Sequence, residues 1–124
     1  MKSIITSLLL VLLTGCVALP TQQDVAKADY GSYPANYEDI VKTFYGNMLK
    51  DPDSAQYKNI TVPKTFWLGD RISGSKFGYL VCATLNAKNS YGAYVGYKTD
   101  GLLIRDGAVI QYVADGMWFG RQMC

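Results

Sequence analysis

The stretch from Phe77 to Leu85 constrains this chain most, because it reads as a strand whose two faces must both be covered. Phe77, Tyr79, Val81, Ala83 and Leu85 alternate with Gly78, Leu80, Cys82 and Thr84, and successive strand side chains point to opposite faces. A strand largely apolar on both sides belongs in the middle of a sheet. Shorter strands are predicted around it. Tyr57 to Val62 is stopped by Pro63, Thr65 to Leu68 forms a second short piece, and Gly92 to Lys98, Leu102 to Arg105 and Ala108 to Val113 follow. Asp106-Gly107 suits a type I′ hairpin turn, and Asp100-Gly101 reads as a similar turn one strand earlier. Strands joined by short turns imply an antiparallel meander.

Upstream, Tyr37, Ile40, Val41, Phe44, Met48 and Leu49 recur at the three-and-four spacing of one buried helical stripe. The helix is predicted to start at Pro34 or Asn36, with Asn36 as its cap and Glu38 and Asp39 in its first turn, and to end near Lys50. Pro52 bars its continuation, and Asp51-Pro52-Asp53-Ser54 has the form of a new cap and one short turn. The fold class is therefore α+β: one N-terminal amphipathic helix packed on a curved antiparallel sheet of four to five strands, within a single domain of residues 33–124.

The first residues carry a different signal. Lys2 precedes an apolar run from Ser3 to Leu13 and the small pair Thr14-Gly15, the three regions of a secretory leader, and the run is shorter than the roughly 20 residues that span a bilayer. The ending Leu13-Thr14-Gly15-Cys16 resembles the lipobox of bacterial lipoproteins. That resemblance implies removal of residues 1–15, acylation of Cys16 and a lipidated tether over residues 16–32, whose sequence has no sustained periodicity. It makes the membrane a partner through the N-terminal lipid. Gram-negative lipoproteins with Asp after the lipidated Cys favour the inner membrane; Val17 here implies the outer membrane, facing the periplasm, with the surface-exposed orientation left open. The same residues also admit an uncleaved anchor or an unmodified secreted chain.

With Cys16 committed to lipid, Cys82 and Cys124 form an even pair in an oxidising compartment, where disulfides persist. Their bridge would close a loop of about 43 residues and contribute about 4 kcal/mol on the chain-entropy model. A reactive thiol would need a basic or helix-terminal setting, which the sequence does not display. Removal of Lys2 from the twelve Lys and Arg, set against ten Asp and Glu, leaves one cation in excess, with no basic block to attract nucleic acid.

The chain has no histidine, which removes the commonest general base and metal ligand together. No Ser-x-x-Lys motif occurs, and the acids fall mostly at turns and caps, so neither a catalytic residue, a metal nor a cofactor is expected. The segment Asn86 to Lys98 stands out instead, with two asparagines, two lysines, three tyrosines and two glycines. As a strand it would turn Tyr91, Ala93, Val95 and Tyr97 to the core and Gly92, Tyr94, Gly96 and Lys98 outward. Asn86, Lys88, Asn89, Tyr91, Tyr94 and Lys98 are the candidate partner-binding residues, since tyrosine gives contact area at low entropic cost and asparagine both donates and accepts. The competing reading is that the glycines make a bulge and the asparagines hold a turn. Trp118 and Phe119 read as a plug at the end of the core, and Lys64, Arg71 and Lys76 as solvated loop charges.

Tyr33-Pro34-x-x-Tyr37, Leu49-Lys50-Asp51-Pro52-Asp53-Ser54-Ala55-Gln56-Tyr57, Val81-Cys82 and Asn86-Ala87-Lys88-Asn89-Ser90-Tyr91-Gly92-Ala93-Tyr94 together resemble a group of small bacterial envelope lipoproteins of unassigned function. The resemblance covers roughly residues 33–107 and implies a fold and an envelope location, without catalytic residues. The resulting expectation is a non-enzymatic, lipid-anchored outer-membrane lipoprotein whose periplasmic domain binds another envelope protein or glycan. Its alternatives are an inhibitor or receptor-blocking lipoprotein, and a peptidoglycan-acting enzyme.

Overall fold

A computed structural model describes residues 15–124, so all but the last residue of the expected leader lies outside it. The fold is α+β with a sheet of five antiparallel strands. Helix α1 spans Gln22–Lys27 and α2 spans Tyr37–Met48. The sheet comprises β1 (Gln56–Ile60), β2 (Lys64–Asp70), β3 (Gly74–Asn86), β4 (Lys98–Arg105) and β5 (Ala108–Val113). A small hairpin of β6 (Met117–Trp118) and β7 (Arg121–Gln122) closes the chain.

Strand β3 is central, as its two apolar faces require. One edge pairs with β4 along Tyr79 to Leu85, and the other takes β2 on its first half and β1 on its second. β1 and β2 thus form one interrupted edge strand, broken where buried Pro63 has no N–H to give the ladder. Thr61 bridges the break, its N–H donating to Cys82 O at 3.0 Å and its Oγ1 accepting from Cys82 N at 2.9 Å.

Each face of β3 has its own core. Val81, Ala83 and Leu85 pack with Leu102, Ile104 and the α2 residues Val41 and Tyr45. Leu80 and Cys82 pack on the opposite face with Leu68, Leu103, Val113 and Met123. The second core is roofed by the C-terminal segment, which the Cys82–Cys124 disulfide fastens down with an S–S distance of 2.05 Å. A Cβ on Gly101, opposite Cys82 in the register, would lie 3.1 Å from Met123 Cε and 3.5 Å from Cys124 Sγ.

Several local expectations are corrected. Asp100-Gly101 is no turn, because both residues lie within β4, where Asp100 is sequestered by polar partners and Gly101 makes room for the C-terminus. Gly92 to Lys98 is not a strand: only Lys88 and Tyr94 make an isolated bridge, and β4 begins at Lys98. Asn36 occupies the cap position of α2 without a side-chain cap bond; the helix stops at Met48, since Leu49 is already extended. Met48 is exposed rather than part of the buried stripe. Phe119 is 81% exposed and plugs nothing, while its neighbour Trp118 packs on the second core. Lys64 and Lys76 belong to strands, and Lys76 Nζ donates to Gln111 Oε1 at 2.9 Å.

Within residues 16–32, expected as a tether, α1 buries no residue, while Val17 and residues 29–31 touch the domain. Thr21 and Asp24 form a reciprocal capping box at the start of α1, with Asp24 Oδ2 accepting from Thr21 N at 2.8 Å. The Tyr30 ring meets Phe77 edge-on at 5.7 Å, and Tyr33 meets Tyr79 at 5.5 Å. Arg105 donates to the carbonyls of Asp29 and Phe77 and pairs with the Asp29 carboxylate at 3.5 Å.

Candidate functional site

The segment between β3 and β4 is a loop held by its own asparagines. Asn86 Oδ1 accepts from Gly96 N at 3.0 Å, and Asn89 Oδ1 accepts from Tyr91 N at 2.9 Å and Ala93 N at 3.2 Å. The backbone adds Asn89 N to Ala93 O at 2.9 Å and Gly92 N to Asn89 O at 3.1 Å. Gly92 and Gly96 have φ of 77° and 101°, which takes the chain out of the extended alternation a strand would need. Both asparagine side-chain oxygens are therefore spent on shaping the loop.

That conformation abolishes the expected division of side chains, since residues 91–98 are all exposed. Tyr91, Val95 and Tyr97, assigned to the core by strand alternation, face solvent, and Tyr91 is 94% exposed. Tyr94, assigned outward, leans back onto the Pro52–Ser54 turn, where its hydroxyl donates to Ser54 O at 2.9 Å. Lys88 helps to hold it there. Its N–H donates to Ser54 Oγ at 2.8 Å and its ammonium lies 5.5 Å from the Tyr94 ring centroid, within cation–π range. The Lys58 ammonium lies 5.4 Å from the Tyr97 ring in the same way.

Beneath the loop lies a cleft of about 310 Å³. The end of α2, the loop and the Ala114–Asp115 turn form its walls, and Tyr45, Leu85 and Tyr112 its floor. Lys50, Lys88 and Lys98 line it with Asn89, so cations outnumber the acids Asp100 and Asp115 in its wall. Of the six candidate partner-binding residues, the cleft gathers Lys88, Asn89 and Lys98; Tyr91 projects from the loop above, and Asn86 and Tyr94 support it.

Asp100, only 6% exposed, is the polar centre of the cleft floor. Its Oδ2 accepts from Tyr45 Oη at 2.8 Å and Tyr112 Oη at 3.0 Å, and its Oδ1 accepts from Asp115 N at 3.0 Å. Three donors satisfy it without a cation. Burial first, then the hydrogen bond and charge of Asp100, push the Tyr45 hydroxyl far above the ordinary tyrosine range. Burial and the Asp100 charge raise Tyr112 as well. Sequence reading missed Asp100, Tyr45, Tyr112 and Lys50 as cleft residues; a lone acid separated only by Gly101 from the apolar run Leu102-Leu103-Ile104 was the available signal.

The cysteines complete the picture. Cys16 is exposed with a free thiol, and Cys82 and Cys124 are bonded to each other. Among the described residues no three His, Cys, Asp or Glu side chains converge as a metal-binding set. Compared with protein-family models, curated proteins and solved structures, the chain matches none of them.

Proposed function

We propose that this protein is a lipid-anchored envelope lipoprotein of the outer membrane, whose periplasmic domain binds another envelope protein or glycan through the loop of residues 87–97 and the cleft beneath it. The carrying observation is that Tyr91, Val95 and Tyr97 are exposed on a loop whose backbone is fixed by Asn86 and Asn89. Exposed aromatic side chains normally cost a folded protein solubility, whereas on a preorganised loop they bind without a large ordering penalty. The disulfide supports an exported chain, since such bonds are rare in reducing compartments. Cys16, exposed and free at the end of the lipobox-like stretch, supports the lipid anchor.

A photo-crosslinking residue introduced at position 97 in intact cells tests the binding role. The expected result is one discrete adduct that Tyr91→Ala removes, while the thermal midpoint of that variant stays within a degree or so of the parent. A surface substitution away from special features changes stability by less than about 0.5 kcal/mol, so a large loss of stability would assign Tyr91 to the fold instead. Absence of a discrete adduct at position 97 would refute the loop as an interface.

A further inference from the structure

The domain has a second exposed apolar surface, at the opposite end of β3 from the loop. The hairpin joining β2 to β3 carries Ile72 at its tip, 91% exposed and flanked by Arg71. The tip has a defined shape. Asp70 Oδ1 accepts from Ile72 N at 2.7 Å and also from Ser73 N, and Gly74 completes the turn with a φ of 81°. Phe119, 81% exposed, belongs to the same end, since its ring lies 4.9 Å from that of Trp118, whose Nε1 donates to Gly69 O at 3.3 Å. Arg121 adds a cation there, stacked on Phe66 and Trp67 at 4.4 and 4.8 Å.

The N-terminal segment reaches this same tip. Val17 N donates to Arg71 O at 3.0 Å, and Val17 Cγ1 lies 3.8 Å from where a Cβ on Gly74 would stand. Cys16 is the adjacent residue, about 3.8 Å away from Cα to Cα. Acyl chains on its sulfur would leave the domain beside Ile72, with no free tether between them. Val17 and Leu19, both part-exposed, continue the apolar surface.

We infer that the hairpin tip at Arg71-Ile72, with Val17, Leu19 and Phe119, is a membrane-contact face that seats the domain on the phospholipid bilayer holding its own lipid anchor. This rests on the proposed acylation of Cys16. Scattered exposed apolar residues are ordinary on a protein surface, but these gather at one end, beside the anchoring residue and with Arg71 and Arg121 among them. The combination of apolar side chains and cations matches the interface of an anionic bilayer; Asp70, the acid on the turn, is engaged with backbone N–H groups. Orientation follows from β3. Its 13 residues rise about 3.3 Å each, so the strand places the 87–97 loop about 40 Å from the tip, on the side of the domain away from the membrane.

The test uses the mature, full-length acylated protein in nanodiscs of phosphatidylethanolamine and phosphatidylglycerol that contain a headgroup-nitroxide lipid, with amide signals read by NMR. Intact mass is measured on the same sample. The expected result is loss of the Ile72, Ser73 and Phe119 amide signals on adding the nitroxide lipid, with Asn89 and Tyr91 unchanged, and recovery of the Phe119 signal in Ile72→Asp. Equal loss at Ile72 and Tyr91 in an acylated sample would overturn this inference alone, as would Ile72 shifts that follow protein concentration and so report a second copy on the tip. An unacylated mass would overturn the anchor reading and this inference together.

Discussion

Asp100 shows what a single residue can determine here. A buried carboxylate without a cation is tolerated because two phenolic hydroxyls and one backbone N–H satisfy it, and each partner comes from a different element. Tyr45→Phe removes one donor while leaving the carboxylate buried. Hydrogen bonds to charged groups contribute about 1.5–3 kcal/mol, so the variant is expected to lose that much in urea unfolding with an unchanged m-value. The same cluster sets an alkaline limit. Unfolded tyrosines ionise near pH 10, whereas Tyr45 and Tyr112 in the folded state hold their protons to higher pH. Their stabilising contribution is therefore complete below about pH 10 and declines as the pH rises beyond it, because the unfolded chain releases protons first. Unfolding measured from pH 8 to 11 should show this decline, and Tyr45→Phe should make it shallower.

Among the elements, two glycines separate local from long-range control. Gly107 follows Asp106 in the β4–β5 turn, both residues have positive φ, and a Cβ on Gly107 would meet nothing. Gly107→Ala therefore costs only the left-handed backbone strain, about 1–2 kcal/mol. Gly101 lies in regular strand, and Gly101→Ala instead pushes a methyl toward Met123 and Cys124. Overpacking of this kind costs about 1–3 kcal/mol. Replacing Met123 by a smaller residue, as in Met123→Ala, should reduce the effect of Gly101→Ala and leave that of Gly107→Ala untouched, a coupling that a double-mutant cycle reads directly. The Asp106-Gly107 turn was legible because its chemistry is local. Asp100-Gly101 has the same letters, yet packing across the sheet and under the C-terminus made it strand. The 87–97 loop misled for a related reason: alternating Tyr and Gly fit a strand, but Asn86 and Asn89 capture the backbone N–H groups that a neighbouring strand would have needed.

For the molecule as a whole, the disulfide decides whether the second core stays covered. Cys82 and Cys124 are 42 positions apart, and the segment between them includes the Met123 that seals that core. Replacing both cysteines by alanine is expected to lower stability by about 4 kcal/mol on the chain-entropy model. Hydrogen exchange should locate the effect, with protection lost first across Met117 to Met123 while the α2 side of the sheet retains it. Uniform loss over both cores would show instead that they unfold as one unit.

By itself the sequence determined the α+β class with an antiparallel sheet, the two-faced central strand, most of the stripe of α2, the Asp106-Gly107 turn and the cysteines available for pairing, because alternation, helical spacing and turn preference act between near neighbours. Only the tertiary structure decided that Asp100 would form a buried polar centre, that Tyr91 and Tyr97 would face solvent while the Tyr94 hydroxyl was tied to Ser54, and that Val17 would bind the hairpin tip. Those outcomes depend on which donors, acceptors and vacant spaces meet across the fold, and residues distant in the chain share no local pattern that could announce the meeting.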